Sequence, residues 1–591
     1  MNIDINYRRD NYLSEFSIKT LEDRYMVDGE ISPQDAFARA AKTFADDEAH
    51  AQRLYDYASK LWFMFSTPIL SNGGTKRGLP ISCFLNYVDD SRTGITSHYT
   101  ENAFLSSVGG GIGGSWDGVR SVGSKTSNGS ESTGVIPFLK VVDAEMLAFS
   151  QGVTRRGSYA AYLDIGHPEI EEFLDIRKPT GGDINRKSIN LHHGVVISDK
   201  FMEIIENATR IEGFDDSWDL IDPNSKRVTK TVSAKALWVK LIQNRVETGE
   251  PYIMFGDTVQ AALPSFQKEL GLVARQSNLC SEITLATDKD RTAVCCLSSV
   301  NLEEYDEWRD DPRFIPDLVR MLDNVLTHFI THAPDELEKA KYSAFRERSI
   351  GLGAMGFHAH LQRHNIAFES AMAKGRNMQM FKHIKSEAKR ATELLAEERG
   401  ECPDGVGHGV RNAHLLAIAP NASSSIICGN TSPSIEPYRA NAYVQKTKTG
   451  SSLMKNEYLE HHLDEIGHNT EEVWKSITTA NGSVAHLDFL DDWTKDVFKT
   501  AVEIDQRWVI DMAADRQKEV CQAQSLNLFF PGNVSKQELH AVHMMAWKQK
   551  VKTLYYLRSE ALKRAENVSV EALRQYIFDT IDEGACLACE G

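Results

Sequence analysis

The sequence lacks the features of a secreted or membrane-spanning protein. It contains no run of about 18 consecutive apolar residues, the length that suggests a membrane span. Its first residues, MNIDINYRRDNYLSEF, contain neither an apolar core nor a small-residue cleavage site of the kind found in secretion signals. We therefore expect a cytoplasmic protein that has no membrane partner.

Positive charge is also scarce. The 66 Lys and Arg residues face 83 Asp and Glu residues, which gives a formal net charge of −17 at pH 7. A protein that binds along nucleic acid needs a basic face to neutralise phosphates, so this balance argues against a nucleic-acid partner. It does not argue against a nucleotide bound at a local site.

Cysteine is rare, with nine residues in a chain of 591. A number that is both small and odd excludes a disulfide scaffold. Because the expected compartment is reducing, a functional cysteine here acts as a metal ligand, a nucleophile or a redox group.

The spacing of apolar residues along the sequence changes near residue 67. Residues 20–65 have apolar side chains at helical spacing, with Ser32 as a capping residue. Short apolar runs broken by glycine follow, and they predict buried strands at CFLNYV, GVIPFLKVV, YAAYLDI and NLHHGVVI. Helical patterns alternate with them at 233–248, 314–333, 377–398 and 494–514. This alternation predicts a large α/β domain.

Three motifs resemble ligand sites but fail their patterns. VGGGIGG has G-x-G-x-x-G spacing, yet a helix-like stretch precedes it, which favours tight backbone packing over a dinucleotide site. GVRSVGSKT resembles a phosphate loop, but Ser124 separates the glycine from Lys125. EHHLDEIGH (460–468) lacks H-E-x-x-H order and favours a solvated helix face. We expect no metal site in this chain.

Two cysteine motifs are candidates for chemistry. Cys586 and Cys589 form a C-x-x-C near the chain end, where thiol–disulfide exchange is favoured, with metal binding or chance left open. NLCSE places Asn278, Cys280 and Glu282 at alternating positions, so an extended loop would point all three side chains the same way. An ordinary buried cysteine is the commoner explanation of that motif on its own.

Two further motifs keep an ordinary alternative. In KTLYY, the adjacent Tyr555 and Tyr556 suit either core packing, which is commoner, or one-electron transfer. PNASSSI (420–426) predicts a helix N-terminus that either holds a phosphate or is simply capped.

Taken together and in order, these motifs resemble the catalytic large subunit of a class I ribonucleotide reductase. The matching segments run from about residue 60 to the chain end: STPILSNGG, ISCF, VDDS, GVRSVGS, QGVTRRGSYAAYL, SNLCSE, AVCCLSSVNL, RSIGLGAMGF, PNASSS, SIEPY, KTLYY and CLAC. The resemblance implies an α/β barrel of ten strands in two five-stranded halves, with NLCSE on a central finger loop. It implies an N-terminal helical domain (1–66), a catalytic barrel (67–570) and a redox-active tail (571–591).

The resemblance also implies roles for the thiols. Cys280 would become the thiyl radical that abstracts the substrate 3′-hydrogen, with Glu282 as base and Asn278 as hydrogen-bond partner. Cys83 and Cys295 would deliver reducing equivalents and close to a disulfide. The pattern aligns Cys295 rather than its neighbour Cys296. The tail thiols, Cys586 and Cys589, would reduce that disulfide and be reset by thioredoxin or glutaredoxin.

Binding residues follow from the same resemblance. Those implied for the ribonucleoside diphosphate substrate are Thr67, Ser82, Asn421, Ala422, Ser423 and Ser424. Those implied for a deoxynucleoside triphosphate effector that sets substrate choice are Asp90, Ser91, Arg120, Gln151 and Arg156. The effector site would lie at a homodimer contact.

Ribonucleotide reductases are divided into classes by the source of their radical. Tyr555 and Tyr556 resemble the relay from a metal-containing small (beta) subunit, so no cofactor is expected in this chain. An adenosylcobalamin-dependent class II reductase is the first alternative, and a non-enzymatic nucleotide-binding or thiol-redox regulator is the second. The early position of Cys83 leaves no room for the N-terminal ATP-binding activity domain of many relatives, so we expect the form that lacks it.

Overall fold

The computed structural model describes residues 1–151, 155–447 and 450–559. In chain order the strands are β1 (Phe63–Phe65), β2 (Cys83–Tyr87), β3 (Gly111–Ser115), β4 (Ser150–Gln151), β5 (Arg155–Arg156), β6 (Ser158–Asp164), β7 (His192–Ile197), β8 (Ser217–Ile221), β9 (Val228–Ser233), β10 (Tyr252–Phe255), β11 (Ala293–Asn301), β12 (Ile350–Met355), β13 (Ala442–Thr447), β14 (Gly450–Lys455), β15 (Leu528–Phe530), β16 (Thr553–Leu554) and β17 (Leu557–Ser559).

Helices surround these strands. They are α1 (Glu15–Arg24), α2 (Pro33–Phe44), α3 (Glu48–Ser59), α4 (Thr67–Asn72), α5 (Arg92–Ser107), α6 (Ile136–Ala148), α7 (Ile170–Phe173), α8 (Asp199–Arg210), α9 (Ala234–Thr248), α10 (Gly256–Ala262), α11 (Ser265–Glu269), α12 (Tyr305–Trp308), α13 (Phe314–His332), α14 (Glu338–Glu347), α15 (Phe357–Arg363), α16 (Ala371–Arg399), α17 (Ala422–Ile427), α18 (Glu457–Glu465), α19 (Glu471–Thr479), α20 (Asp492–Val497), α21 (Gln506–Gln517) and α22 (Lys536–Lys548). Within the described ranges, no helix combines the length and apolar character needed to cross a bilayer.

The sequence predicts helix over residues 20–65, and helices α1 to α3 confirm this up to Ser59, whereas residues 63–65 form strand β1. Ser32 caps α2 by accepting a hydrogen bond from the backbone of Gln34, and Asp35 returns the contact to the Ser32 N–H at 3.2 Å. This capping box fixes where the helix begins. Arg53 of α3 donates two hydrogen bonds, of 2.6 and 2.9 Å, to the buried carboxylate of Asp317 on α13. The helical segment is thereby tied to the larger α/β part of the chain.

The first half of the main sheet consists of five parallel strands. Its order is β2, β3, β6, β7 and β10. Nearly all residues of these strands are buried, which is typical of a parallel sheet covered by helices.

The second half is also parallel but less regular. Strand β11 pairs with β12, and the ladder continues through isolated parallel bridges from Leu352 to Leu416 and from Ile418 to Gln524. Beyond them, β15 runs parallel to β17. The halves meet in two antiparallel joints, β2 with β11 and β10 with β16. The predicted α/β barrel domain beside a helical segment is therefore confirmed, with its first five-stranded half complete and β1 added against β11.

Residues 270–292 form a loop between α11 and β11 whose central part, 276–287, is entirely buried. Buried backbone polar groups need hydrogen-bond partners. The side chain of Gln276 donates to the carbonyls of Asn86 (2.8 Å) and Gly113 (3.2 Å), while Tyr162 donates to the Asn278 carbonyl at 2.8 Å. The finger loop is thus held in place by the barrel strands themselves.

The glycine-rich segment makes room for this loop. A Cβ atom on Gly113 would lie 1.9 Å from the Ser277 carbonyl oxygen and 2.8 Å from the Cα of Asn278. The glycines also follow helix α5 and open strand β3, the reverse of the strand-to-helix order that a dinucleotide fingerprint requires. Tight backbone packing, the favoured interpretation of the sequence, is correct.

Two further local predictions are wrong. GVIPFLKVV, predicted as a strand, lies mostly in helix α6, which has Pro137 in its first turn. A continuous apolar run does not distinguish a strand from a buried helix. The helix predicted at 494–514 is two helices, α20 and α21, interrupted at residues 498–505.

The finger-loop contact gives a stability prediction. Gly113→Ala should destabilise the protein by about 1–3 kcal/mol, because the neighbouring atoms belong to the backbone and must shift. Denaturant unfolding of the purified chain measures this difference.

Gly375→Ala is the matched control. Gly375 lies inside helix α16 with no atom within 4 Å of an added Cβ, so alanine should stabilise the protein by about 0.5–1 kcal/mol. If both variants unfolded at the same denaturant concentration, the close packing of loop and strand would be disproved.

Candidate active site

The finger loop turns sharply at its tip. Ser281 has a φ of 67°, in the left-handed region, and the Asn278 side chain accepts a hydrogen bond from the Glu282 N–H at 3.1 Å. The Asn278 amide in turn donates to the Glu282 carboxylate at 2.8 Å. The expectation of an extended loop is therefore wrong. Asn278 and Glu282 meet across a turn, with Cys280 between them in sequence.

Glu282 is buried, and burial raises its pKa to about 7, although hydrogen bonds from Asn278, Ser525 and Cys83 act in the opposite direction. Ser525 donates to its second oxygen at 3.1 Å. A carboxyl group whose pKa lies near neutral pH can both accept and return a proton. Glu282 is therefore suited to general acid–base work.

Cys83 and Cys295 face each other across the antiparallel joint. They are direct register partners of β2 and β11, which places their Cα atoms about 4.5–5.5 Å apart. This separation lies within the range that a disulfide needs. Both belong to one interior apolar cluster. Burial raises the pKa of the Cys295 thiol well above its ordinary value, so the thiol is protonated at pH 7.

Cys296 faces away from this pair. Its Sγ donates to the Leu322 carbonyl at 3.3 Å, and it packs in the main core outside the barrel. Cys295 instead accepts a contact of 3.6 Å from the Gln522 amide. Adjacent residues of a strand point to opposite faces, so only one of the two cysteines can meet Cys83.

Cys280, at the same loop tip, packs against aromatic residues. Its buried cluster contains Tyr555 and Tyr556, whose ring centroids are 4.3 Å apart. Tyr252 of β10 completes the group, at 4.8 Å from Tyr555 and 5.1 Å from Tyr556. Tyr252 was missed from the sequence because no motif or spacing distinguishes it from an ordinary strand aromatic.

The outer tyrosine lies among charged residues. The Tyr556 hydroxyl is 3.3 Å from Nδ1 of His192, and the Arg558 guanidinium lies 4.1 Å from the centroid of its ring. Buried Arg245 donates to the Tyr555 carbonyl at 3.0 Å. These contacts fix the tyrosine pair in one orientation.

The predicted phosphate residues lie at the start of α17. Asn421 is in the left-handed region and donates to Ser299 of β11 at 2.9 Å, and its side chain makes no capping bond. The Asn421 Oδ1 and Ser424 Oγ atoms are buried and have no hydrogen-bond partner within the described part of the chain. Ala422 and Ser423 form the first turn between them. This arrangement has unused polar atoms, which favours a bound ligand over simple capping.

The other two predicted substrate residues differ in their surroundings. Ser82 is buried, with its Oγ 3.7 Å from Cys83 Sγ. Thr67 lies in the first turn of α4, with its hydroxyl 3.0 Å from that of Tyr25. Ser82 is therefore at the thiol pair, while Thr67 is joined to the end of the N-terminal helix α1.

Three of the predicted effector residues, Asp90, Ser91 and Arg120, lie near one another beyond the end of β2. Arg120 contacts both oxygens of Asp90, at 2.9 and 3.1 Å. Ser91 caps α5, which is a structural task. Gln151 and Arg156 lie on the paired strands β4 and β5, on either side of residues 152–154, which are outside the described ranges.

The predicted tail thiols, Cys586 and Cys589, also lie outside the described ranges.

The barrel encloses a loop that carries a thiol, an amide and a carboxyl group, and a pair of thiols lies beside this loop. These features define a thiol-dependent barrel enzyme. A family model described as "Ribonucleotide reductase, barrel domain" matches residues 81–405 and 403–557, and one described as "Ribonucleotide reductase, all-alpha domain" matches residues 12–78. The chain therefore belongs to the ribonucleotide reductase large-subunit family. The resemblance to the class I large subunit inferred from the sequence is confirmed.

Individual relatives agree with this assignment. The chain is 50% identical to the "Putative ribonucleoside-diphosphate reductase large subunit" of Frog virus 3, over 92% of each chain. It is 45% identical to the "Ribonucleoside-diphosphate reductase large subunit" of Invertebrate iridescent virus 3, over the full length of both. The solved structure of the Actinobacillus ureae class Id ribonucleotide reductase alpha subunit superposes with a TM-score of 0.82 at 35% identity, covering 93% of this chain and 97% of that one.

The geometry predicts which thiols can cross-link. Mild oxidation with diamide should join Cys83 to Cys295 in the unaltered chain and in Cys296→Ser, because the register already opposes these residues. Cys295→Ser should form no bond to Cys83. Peptide mapping by mass spectrometry, which separates this bond from any tail disulfide, identifies the partners. A Cys83–Cys296 bond would show that the register of β2 and β11 is wrong.

Proposed function

We propose that this chain is the catalytic subunit of a ribonucleoside-diphosphate reductase, converting ribonucleotides to 2′-deoxyribonucleotides. The observation that carries the proposal is the thiol pair Cys83–Cys295 facing the finger-loop tip inside the barrel. A hydroxide is a poor leaving group from C2′, and a radical at C3′ makes its departure feasible. The reaction therefore needs a hydrogen-abstracting group, a base and a reductant in one enclosed site.

The residues divide these tasks. Cys280, as a thiyl radical, takes the hydrogen from C3′, and Glu282 takes the proton of the 3′-hydroxyl. The 2′-hydroxyl leaves as water. Cys83 and Cys295 supply two electrons and two protons and close to a disulfide, and Cys280 returns its hydrogen to C3′. The net change turns a ribonucleotide and two thiols into a deoxyribonucleotide, water and a disulfide.

Contacts around Glu282 support this division. Asn278 donates to Glu282 and lies 3.7 Å from the Cys83 sulfur, so it can hold the carboxylate while contacting the sugar. The Cys83 thiol is itself 3.9 Å from the carboxylate. With a pKa of about 7, Glu282 can take the 3′-hydroxyl proton and later return it.

The phosphate site lies at a suitable distance. Cys295 and Ser299 are four residues apart on one face of β11, about 13 Å along the strand. Ser299 contacts Asn421 at the start of α17. Asn421, Ala422, Ser423 and Ser424 would therefore hold the diphosphate while the ribose reaches the thiols, with Ser82 and Thr67 on the sugar side.

The tyrosines support a class I enzyme. The adjacent, mutually tilted rings of Tyr555 and Tyr556 lead from a charged cluster toward Cys280, as expected of a relay from a metal-containing small subunit. Tyr252 touches both rings, and we add it to the relay as a residue that holds the pair together. An adenosylcobalamin-dependent enzyme would form its radical inside the barrel and would not need such a route.

Regulation and re-reduction complete the proposal. A deoxynucleoside triphosphate would bind near Asp90 and Arg120 at a homodimer contact, where Arg120 pairs with phosphate oxygens. The segment with Gln151 and Arg156 would relay the effector state to substrate choice. In a proposed division into residues 1–66, 67–570 and 571–591, the last carries Cys586 and Cys589 between the barrel and thioredoxin or glutaredoxin. A reducing, cytoplasmic setting suits this exchange.

Turnover with a small subunit tests the function and the class together. The full chain should reduce cytidine diphosphate when supplied with a class I small subunit and a thioredoxin system, without adenosylcobalamin. Tyr556→Phe should reduce turnover to background, because the substitution removes only the oxidisable hydroxyl.

Tyr342→Phe, at an exposed tyrosine outside the cluster, should keep full activity. Activity that required adenosylcobalamin and ignored the small subunit would favour a class II enzyme. A chain that bound nucleotides but never turned over with any radical source would favour a regulator.

A further inference from the structure

A second cluster of chemically active side chains lies outside the barrel interior. His360 and His364 are one turn apart at the end of helix α15, with ring centroids 4.4 Å apart. Asp306 approaches them from helix α12, and its Oδ2 is 3.0 Å from Nε2 of His364. The candidate ligand atoms of all three residues lie within 4.8 Å of one another.

Hydrogen bonds within the described part of the chain do not explain the position of His360. Its side chain is fully buried, and neither ring nitrogen has a hydrogen-bond partner among the residues described. Leaving a buried polar group in this state destabilises the fold. On the same helix, buried His358 is satisfied, since its Nδ1 accepts a hydrogen bond of 2.8 Å from the Tyr438 backbone. His360 therefore calls for a ligand that the protein itself does not supply.

We propose that Asp306, His360 and His364 bind a divalent transition-metal ion of the zinc type. Two imidazoles and one carboxylate form a nitrogen–oxygen ligand set suited to zinc, with bonds of about 2.0–2.1 Å that small side-chain rotations can provide. His364 and Asp306 are partly exposed, with side-chain exposures of 33% and 37%, which gives the ion a route in and a position for water. Sequence spacing did not indicate the site, because Asp306 is more than fifty residues from the histidines.

Positive charges also lie near the cluster, from Arg309, Arg363 and Arg376. Arg309 contacts the Oδ1 of Asp306 at 3.1 Å, which leaves Oδ2 directed at His364. Arg363 donates to the Glu304 carboxylate at 2.7 Å and to the Glu303 carbonyl at 2.8 Å, so its charge is compensated by its own partners.

The position of the site indicates a structural role. An ion would fasten α12 to α15. The residues around the start of α15 hold the segment that follows the proposed phosphate helix, because Ser432 accepts hydrogen bonds from the backbones of Gly356 (2.7 Å) and Ala359 (3.1 Å). Metal binding should therefore raise the thermal stability of the folded chain.

Metal titration of the full-length chain tests the proposal. Cys586→Ser with Cys589→Ser is used as the parent, so that the tail thiols do not bind the probe. After chelator treatment, the parent should bind Zn²⁺ at about one equivalent per chain and gain thermal stability. Co²⁺ in its place should give visible d–d bands without the near-ultraviolet charge-transfer band of thiolate ligands.

His364→Ala and Asp306→Asn, both at partly exposed positions, should weaken Zn²⁺ binding by about tenfold or more and abolish the gain in stability. The matched control is His332→Ala. It removes one histidine of another neighbouring pair four residues apart, His328–His332, which belongs to no three-ligand group in the described residues. Unchanged affinity in His364→Ala, a loss confined to His332→Ala, or a thiolate band with Co²⁺ would each overturn the proposal.

Discussion

The whole arrangement depends on burying a loop inside a barrel. A loop that leaves water must find partners for its backbone polar groups, and residues 276–287 are buried throughout. The barrel meets this requirement in part with side chains, since Tyr162 donates to the Asn278 carbonyl and Ser525 to the Cys280 carbonyl. In the other direction, the side chain of Gln276 in the loop donates to carbonyls of the barrel strands. Gly113 provides the space, since a side chain there would collide with the Ser277 carbonyl.

Because the loop is fixed, its tip separates two environments. On one side, Asn278 and Glu282 face the thiols of Cys83 and Cys295, where burial keeps Cys295 protonated and brings the Glu282 pKa close to 7. At the same tip, Cys280 packs in a separate buried cluster with Tyr252, Tyr555 and Tyr556. The arrangement suits a radical that arrives along the tyrosines and is used at the sugar, with the two steps divided by a single turn of backbone.

Much of this could be read from the sequence, and the failures have physical causes. The N-terminal helices and the strands at CFLNYV and YAAYLDI follow from local periodicity. The strand predicted at GVIPFLKVV is wrong because an apolar run fits a buried helix as well as a strand. The tight turn at Ser281 depends on hydrogen bonds made only after folding. The order of the strands in the sheet is what brings Tyr252 next to Tyr555 and Tyr556. Neither is visible in local spacing.

The central claim is that Cys280 abstracts the substrate 3′-hydrogen, and a labelled substrate tests it most directly. With cytidine diphosphate carrying tritium at C3′, a small subunit and a reductant, the unaltered chain should release some tritium to water during turnover. Cys280→Ser should release none while still binding the nucleotide, because a hydroxyl fills similar space but does not sustain the radical. Tritium release or deoxynucleotide formation above background by the purified Cys280→Ser protein would contradict the account.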